Sequence, residues 1–305
     1  MKSNKPLVTI GVAVYNGSKY LIDTLNSIIK QNYSNFELII IDDCSTDESF
    51  KIINQWAIGK VGINLSKNEK NLGVVKVCNK LLEQAKGHYL QIFSQDDIML
   101  PNKIADQIKI FETNNDYSMI FSDVSTIDAD GNLLHKSYFK YQNVVLDKVY
   151  LNDITKHLLR FNFIPATSVL LKTSVIKRLG GFDESLHFED LDMWLRFSIS
   201  HKIYFHDEIT VLYRNHSESQ MNSLKKRIIV NESLLHCLEK YRNINKEWNV
   251  EINKNIFKYT PQLIKFNHPN AMKWAVKRYQ YFKDYKTIVY LFIAFLKHPF
   301  SKSLK

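Results

Sequence analysis

Cysteine is scarce in this chain of 305 residues: Cys44, Cys78 and Cys237 are odd in number and widely spaced. They offer neither a disulfide framework nor zinc-ligand spacing, so a reducing, cytoplasmic setting is expected. Long apolar runs are also lacking. The nearest, Ile288 to Leu296, is about half of the roughly 18 residues that a bilayer-spanning helix needs. A secretion signal is disfavoured as well. Met1, Lys2 and Lys5 precede the apolar run Leu7 to Val14, but Tyr15-Asn16-Gly17 follows with no small-residue cleavage site. Neither G-x-x-x-x-G-K-[ST] nor G-x-G-x-x-G occurs. A glycine loop therefore does not cradle phosphate, which argues against a P-loop kinase and a Rossmann dehydrogenase. Internal repeats and low-complexity tracts are absent, and the Ala129-Asp130-Gly131-Asn132 turn reads as part of a hairpin.

What is present is an ordinary globular composition, 45% hydrophobic and 24% charged. The net charge of +10 is uneven: residues 1–223 carry −2 and residues 224–305 carry +12. A basic region of that kind favours an anionic partner, although charge alone also fits a solvated helical surface. From Trp274 to Leu304 aromatics alternate with lysines, the composition of a helix lying on a membrane surface or packing on protein. Both alternatives stand at this point. No nucleic-acid-binding motif accompanies the charge.

The first hundred residues alternate strand and helix. Leu7 to Val14, Phe36 to Ile41, Ile63 to Leu65 and Tyr89 to Phe93 read as buried strands. Helices are expected from Tyr20, from a cap at Ser45 or Thr46, over Val74 to Ala85 with Gly87 as the stop, and from Pro101 through Phe111. This rhythm predicts a parallel, doubly wound sheet. Further on, Tyr117 to Val124, Thr167 to Leu171 and Ile209 to Tyr213 read as strands, and Glu189 to Ser200 as a helix. Asp42-Asp43 and Asp96-Asp97 each follow a strand. Ligands in open α/β sheets bind beyond the carboxyl ends of the strands, so the two acidic pairs should meet at one crevice.

Val8 to Asn16 followed by Glu37 to Asp47 resembles the opening of the family-2 inverting glycosyltransferases. Asn71-Leu72-Gly73, Ser94-Gln95-Asp96-Asp97-Ile98-Met99-Leu100-Pro101 and Gly180-Gly181-Phe182-Asp183-Glu184 with Glu189-Asp190-Leu191-Asp192 resemble the same family in the same order. The resemblance covers roughly residues 6 to 220. It implies a GT-A-type, Rossmann-like α/β fold with a mostly parallel sheet flanked by helices over residues 1–222, and a helical extension over residues 223–305.

It also implies roles, each chemically sensible. Asp43 would accept from a nucleobase N–H and Tyr15 would stack on the base. Asp47 is read as a helix cap. Asp97 would bind Mn2+ or Mg2+, with Asp96 on ribose or metal; such hard cations take carboxylates together with diphosphate oxygens. Ser94 stands where many members have the first Asp of this motif. His216 would be a further metal ligand and Arg214 a phosphate partner. Asp190 would be the base that takes the acceptor hydroxyl proton. Glu189 would position the acceptor, Trp194 could stack against its sugar although a core role is the favoured reading for it, and Asp192 would face its own helix.

The expected activity is sugar transfer from a nucleotide sugar, UDP by resemblance, to a glycan or lipid-linked acceptor of bacterial surface-polysaccharide assembly. The enzyme would sit at the inner face of the membrane through residues 223–305, with room for a homo-oligomer. A degenerate, glycan-binding or scaffold protein of the same fold is the alternative. A nucleotidyltransferase is disfavoured because Tyr15-Asn16-Gly17-Ser18 stands where that class has a glycine-rich loop and an arginine. Sugar-selecting contacts are expected within Ser125 to Phe163.

Overall fold

The computed structural model describes residues 5–146, 151–216, 224–283 and 285–297. Strand β1 (Val8–Val14) is a run of β-branched and small residues because both its faces are covered. It pairs in parallel with β2 (Phe36–Asp42) on one side and β4 (Tyr89–Phe93) on the other, and β3 (Ile63–Lys67) adds beyond β2. The chain thus winds outward from β1 and then crosses to its other side. The crevice of such a sheet opens at the carboxyl end of β1, where that reversal occurs. Helices α1 (Leu21–Ile29), α2 (Ser49–Ala57) and α3 (Val74–Gln84) make the crossovers. Of the pairs Tyr20/Leu21, Thr24/Leu25 and Ile28/Ile29, whose spacing predicts one helical face, all are buried in and just before α1 except Ile29, which is 40% exposed.

Beyond β4 the sheet is mixed. The remaining strands are β5 (Ile98–Met99), β6 (Tyr117–Ile127), β7 (Leu133–His135), β8 (Leu170–Lys172) and β9 (Lys202–Arg214). Among the described residues the order is β3-β2-β1-β4-β8-β6-β9-β5, with β7 on β6. Strand β8 is antiparallel to β4 and β6, whereas β9 runs parallel to β6. Gly131, at φ +90°, makes the expected β6–β7 turn. Helices α4 (Lys103–Thr113), α5 (Tyr138–Tyr141), α6 (Ile154–Arg160), α7 (Thr173–Arg178) and α8 (Asp190–Ser200) fall between these strands along the chain.

Two local expectations are corrected. Helix α2 begins at Ser49, and neither Ser45 nor Thr46 caps it. Ser45 Oγ instead accepts the Asn16 N–H at 3.0 Å, and Asp47 accepts the Ser49 N–H at 3.0 Å. Gly87 does not terminate α3, which ends at Gln84. Its role is close approach: a Cβ there would lie 2.4 Å from the Thr9 backbone nitrogen in β1. Gly87→Ala is therefore expected to destabilise the fold by about 2 to 4 kcal/mol through displaced backbone. A thermal unfolding midpoint unchanged from wild type would contradict this.

The contacts divide the chain into two compact units. The first carries the sheet; the second carries helices α9 (Leu224–Glu239), α10 (Lys246–Lys265), α11 (Ala271–Phe282) and α12 (Tyr285–Lys297), with two short returns at 155–161 and 186–188. The boundary expected at 222/223 lies outside the described residues. In the second unit Leu235, Ile252, Ile256, Leu263 and Trp274 are fully buried. Pro261 sits inside α10 and cannot donate to the Phe257 carbonyl four residues back. The buried Arg278 supplies the missing donor: its Nη1 bonds that carbonyl, and its guanidinium lies 3.9 Å from the Phe257 ring centroid. An orphaned carbonyl and a buried cation thereby satisfy each other.

Candidate active site

The carboxyl ends of β1 and β4 are tied together side by side. Tyr15 N–H donates to Gln95 Oε1 at 2.9 Å, and Gln95 Nε2 donates back to the Tyr15 carbonyl at 3.2 Å. Tyr15 is 43% exposed. Asp42, fully buried, accepts the Ser45 N–H. Asp43 is directed at the loop ahead of α3. Its Oδ1 accepts from Asn68 Nδ2 and Leu72 N–H at 2.8 and 2.9 Å, and its Oδ2 accepts from Gly73 N–H at 2.8 Å. Asp43 therefore shapes the Asn71-Leu72-Gly73 segment. Only one of its four lone-pair positions is left for a ligand.

The loop after β4 carries the second acidic pair, and α1 pins its backbone. Thr24 Oγ1 donates to the carbonyls of Gln95 and Asp97 at 3.0 and 2.8 Å. The two carboxylates then diverge. Asp96 accepts from Ser94 Oγ, and its Oδ2 lies 2.9 Å from His216 Nε2. Asp97 is turned inward and buried, with Oδ1 accepting the Arg214 N–H at 2.8 Å and Oδ2 lacking a hydrogen bond. Burial, then the Asp96 charge, push the Asp97 carboxyl well above the usual carboxylate range, against the Arg214 N–H, Thr167 and the Arg214 charge.

Asp97 is expected as the metal ligand and Asp96 as a ribose or metal contact; of the two, Asp97 is the carboxylate turned into the protein. Asp96, paired with His216, has a side chain 19% exposed and is the more accessible of the two. Arg214 departs from expectation. Its Nε donates to the Asp96 carbonyl at 2.9 Å, Nη1 to the Ala129 carbonyl at 3.2 Å, and its guanidinium stacks 4.6 Å from the Tyr20 ring centroid. It is a buried clamp on the acidic loop and on the β6–β7 turn through Nε and Nη1, while Nη2 lies 3.9 Å from Asp23 Oδ2. A pocket of about 660 Å³ beside α1, lined by Lys19, Asp23, Lys30 and Arg214 among others, includes none of Tyr15, Asp43, Asp96 or Asp190.

The third acidic pair opens α8. Asp190 Oδ2 accepts from Asn162 Nδ2 at 2.6 Å and Oδ1 from Leu191 N–H at 2.6 Å. Burial raises the Asp190 carboxyl, and these two donors hold it back. Glu189, the residue before the helix, is pushed up to about 7, first by burial and then by the Asp190 charge. Asp192 faces its own helix as expected, pairing with Arg196 at 2.8 Å. Arg196 also donates to the carbonyls of Leu179 and Gly181 at 2.7 and 2.8 Å, fastening the Gly180-Gly181 turn to α8. Both glycines have positive φ, +85° and +76°. Trp194 is only 3% exposed. Its ring presents no face to an acceptor, so the core reading stands and the acceptor contact falls away.

Tyr213, near the end of β9, is the residue that sequence reasoning missed. Tyr213 is 39% exposed, so only part of the residue is buried; that desolvation and then the charges of Asp97, Asp96, Tyr138 and Asp190 raise its phenol above the ordinary range. Tyr213 is thus within electrostatic reach of two acidic pairs that are separated by more than ninety residues in sequence. Asn162, which positions Asp190, and Asn79, which exchanges hydrogen bonds with both the N–H and the carbonyl of Phe182, were also missed. Alternation along the Ile209 to Tyr213 strand marks Tyr213 as facing opposite to Leu212, but carries no hint of what it faces.

Among the described residues no group of three or more His, Cys, Asp and Glu side chains forms a metal site from protein alone. Asp96 and His216 provide one oxygen and one imidazole donor. That set suits a hard divalent cation whose remaining ligands are diphosphate oxygens and water.

A crossover sheet carrying Asp42-Asp43 at the end of β2 and Asp96-Asp97 just after β4 has the layout of a glycosyltransferase. Residues 9–175 match the model of glycosyl transferase family 2, and the chain belongs to that family. It is 30% identical over 228 residues to the uncharacterized glycosyltransferase MJ1057 of Methanocaldococcus jannaschii, spanning 73% of this chain and 76% of that one. It is 31% identical over 154 residues to TuaG of Bacillus subtilis, a protein named for teichuronic acid biosynthesis, spanning 50% and 61%. The fold is of GT-A type. The mannosyltransferase PcManGT of Pyrobaculum calidifontis, solved with GDP-Man and Mn2+, superimposes with a TM-score of 0.63 at 15% identity, over 98% of this chain and 89% of that one.

Proposed function

We propose that this glycosyltransferase moves a sugar, with inversion, from a nucleoside diphosphate sugar to a hydroxyl of a glycan or lipid-linked acceptor during assembly of a bacterial surface polysaccharide. UDP is the first nucleotide to test. The observation that carries this reading is the match of residues 9–175 to glycosyl transferase family 2, together with Asp96-Asp97 set just after β4 and Glu189-Asp190 at the start of α8. The likeness to TuaG supports the polysaccharide setting.

In this reading Tyr15 stacks on the nucleobase, and Asp43 shapes the loop beneath the nucleoside. Asp96 and His216 would hold Mn2+ or Mg2+. Bound there, the cation would neutralise the diphosphate and stabilise it as a leaving group; the Mn2+ of PcManGT supports the choice of metal. Asp97 and Arg214 position Asp96 from behind. Asp190, aimed by Asn162 and Leu191 N–H, takes the acceptor proton as the acceptor oxygen forms its bond to the anomeric carbon and the bond to the diphosphate breaks. Glu189 tunes that base by charge and orients the acceptor.

The test is a panel of UDP-, GDP- and dTDP-sugars with the purified chain, in Mn2+ and then in EDTA. Metal-dependent binding or hydrolysis of one donor supports the reading. No interaction with any donor would favour a degenerate glycan-binding or scaffold protein. A second test uses pH. A base works deprotonated, so kcat/KM should fall as pH drops through the titration of the Glu189–Asp190 pair. Asn162 favours the charged form of Asp190. Asn162→Ala is therefore expected to move the acidic limb of the profile to higher pH, with KM for the donor unchanged. A parallel loss at every pH would leave Asn162 a merely structural role.

A further inference from the structure

Helix α12 buries little of its apolar surface. Of its residues Tyr285–Lys297, Thr287 and Ala294 are the buried ones, seven apart on one side. The opposite side carries Tyr285, Ile288, Val289, Phe292, Phe295 and Leu296, each between 50% and 72% exposed. Their spacing of three and four residues makes them one continuous helical stripe. A soluble monomer rarely leaves a contiguous apolar patch of that kind in water unless something covers it. At thirteen residues the helix is well short of the roughly 20 that span a bilayer, and no described helix is long and apolar enough to cross one. An element of this shape lies along an interface rather than through it.

Charge selects what covers the stripe. Residues 285–305 contain Lys286, Lys297, Lys302 and Lys305 and no Asp or Glu, within the region that carries +12. Two copies meeting through this face would bring like charges together. A surface of anionic headgroups would instead gain from each lysine while its acyl boundary takes the apolar side chains. We infer that α12 is an interfacial helix that docks this enzyme on an anionic lipid bilayer. It rests on the proposed function only in that a lipid-linked acceptor would be found at that surface; the stripe and its charge stand without it.

The test uses the full chain in flotation with vesicles of phosphatidylcholine, alone or mixed with phosphatidylglycerol, at low and high salt. Wild type should float with the anionic vesicles, less at high salt. The triple variant Ile288→Ser, Phe292→Ser, Phe295→Ser should lose roughly tenfold or more of that partitioning. Lys286→Glu should weaken it by about fivefold or more. Both variants should keep the wild-type rate of donor hydrolysis in solution, which reports an intact sheet domain. Should the triple variant fail to fold, the charge variant decides alone. Equal flotation of wild type and variants would overturn the inference. So would a concentration-dependent dimer in sedimentation velocity that the triple variant dissolves, because the stripe would then be a contact between copies. Wild type that floats as expected but turns over no donor would sink the proposed function and leave this inference standing.

Discussion

Asp190→Asn is expected to lower acceptor-dependent transfer by roughly 10²- to 10⁴-fold, the usual contribution of a positioned general base, while donor affinity stays near wild type. Asn preserves the shape of the side chain, and its amide oxygen can still accept from Asn162 or from Leu191 N–H, so α8 should start where it does now. What is lost is the capacity to take a proton. Glu189→Gln is the informative partner. It should reduce transfer far less, and it should shift the pH profile by removing the charge beside Asp190. It should also stabilise the protein at alkaline pH. The folded-state value of about 7 lies above the ordinary 4.5, so folded Glu189 keeps a proton that the unfolded chain releases. Stability is therefore lost as pH rises from about 4.5 to about 7 and stays lower above that range. A neutral glutamine escapes this penalty. If Glu189→Gln were the inactive variant and Asp190→Asn the active one, the roles of the two residues would be exchanged.

The ordered motifs were legible in the sequence because each is local. Turn glycines, strand-end aspartates and apolar runs report their own neighbourhood, and so β1 to β4, the Gly180-Gly181 turn and the inward Leu191 and Phe197 of α8 follow from pattern alone. What pattern could not decide was direction between adjacent residues. Asp96 and Asp97 are chemically identical neighbours. Which one stays the more accessible is set by β9, whose end arrives 117 residues later to place the Arg214 N–H on Asp97 and His216 on Asp96. Arg214 looked like a phosphate ligand because a cation after a strand usually meets solvent; here backbone carbonyls of two loops engage it first. Trp194 was open to two readings for a related reason. An aromatic on an amphipathic helix can face core or ligand, and only the buried partner surface tells which. Gly87 shows the same limit: a glycine after a helix suggests a cap, whereas its cause is the Thr9 backbone of a strand nearly eighty residues earlier.

Asp96→Ala should carry the largest effect on donor use: loss of turnover on the order of 10³-fold in saturating Mn2+, comparable to the effect of EDTA on wild type. The prediction is sharper as a cycle. If Asp96 and the cation act as one unit, EDTA should add nothing to the loss already seen in Asp96→Ala, because effects of residues and ions that act together do not sum. His216→Ala should fall on the same branch with a smaller loss, since imidazole is the second donor of the pair and diphosphate oxygens would remain. Asp97→Asn separates ligand from scaffold. Its buried carboxyl is already driven toward the neutral form, its Oδ1 would still receive the Arg214 N–H, and an amide relieves the repulsion from Asp96. The variant should unfold no lower than wild type and keep its response to Mn2+. Were Asp97→Asn to abolish the Mn2+ response while Asp96→Ala retained it, Asp97 would be the ligand after all. The cation would then have to draw the inner carboxylate away from Arg214, and the acidic loop pinned by Thr24 would have to rearrange when the donor binds.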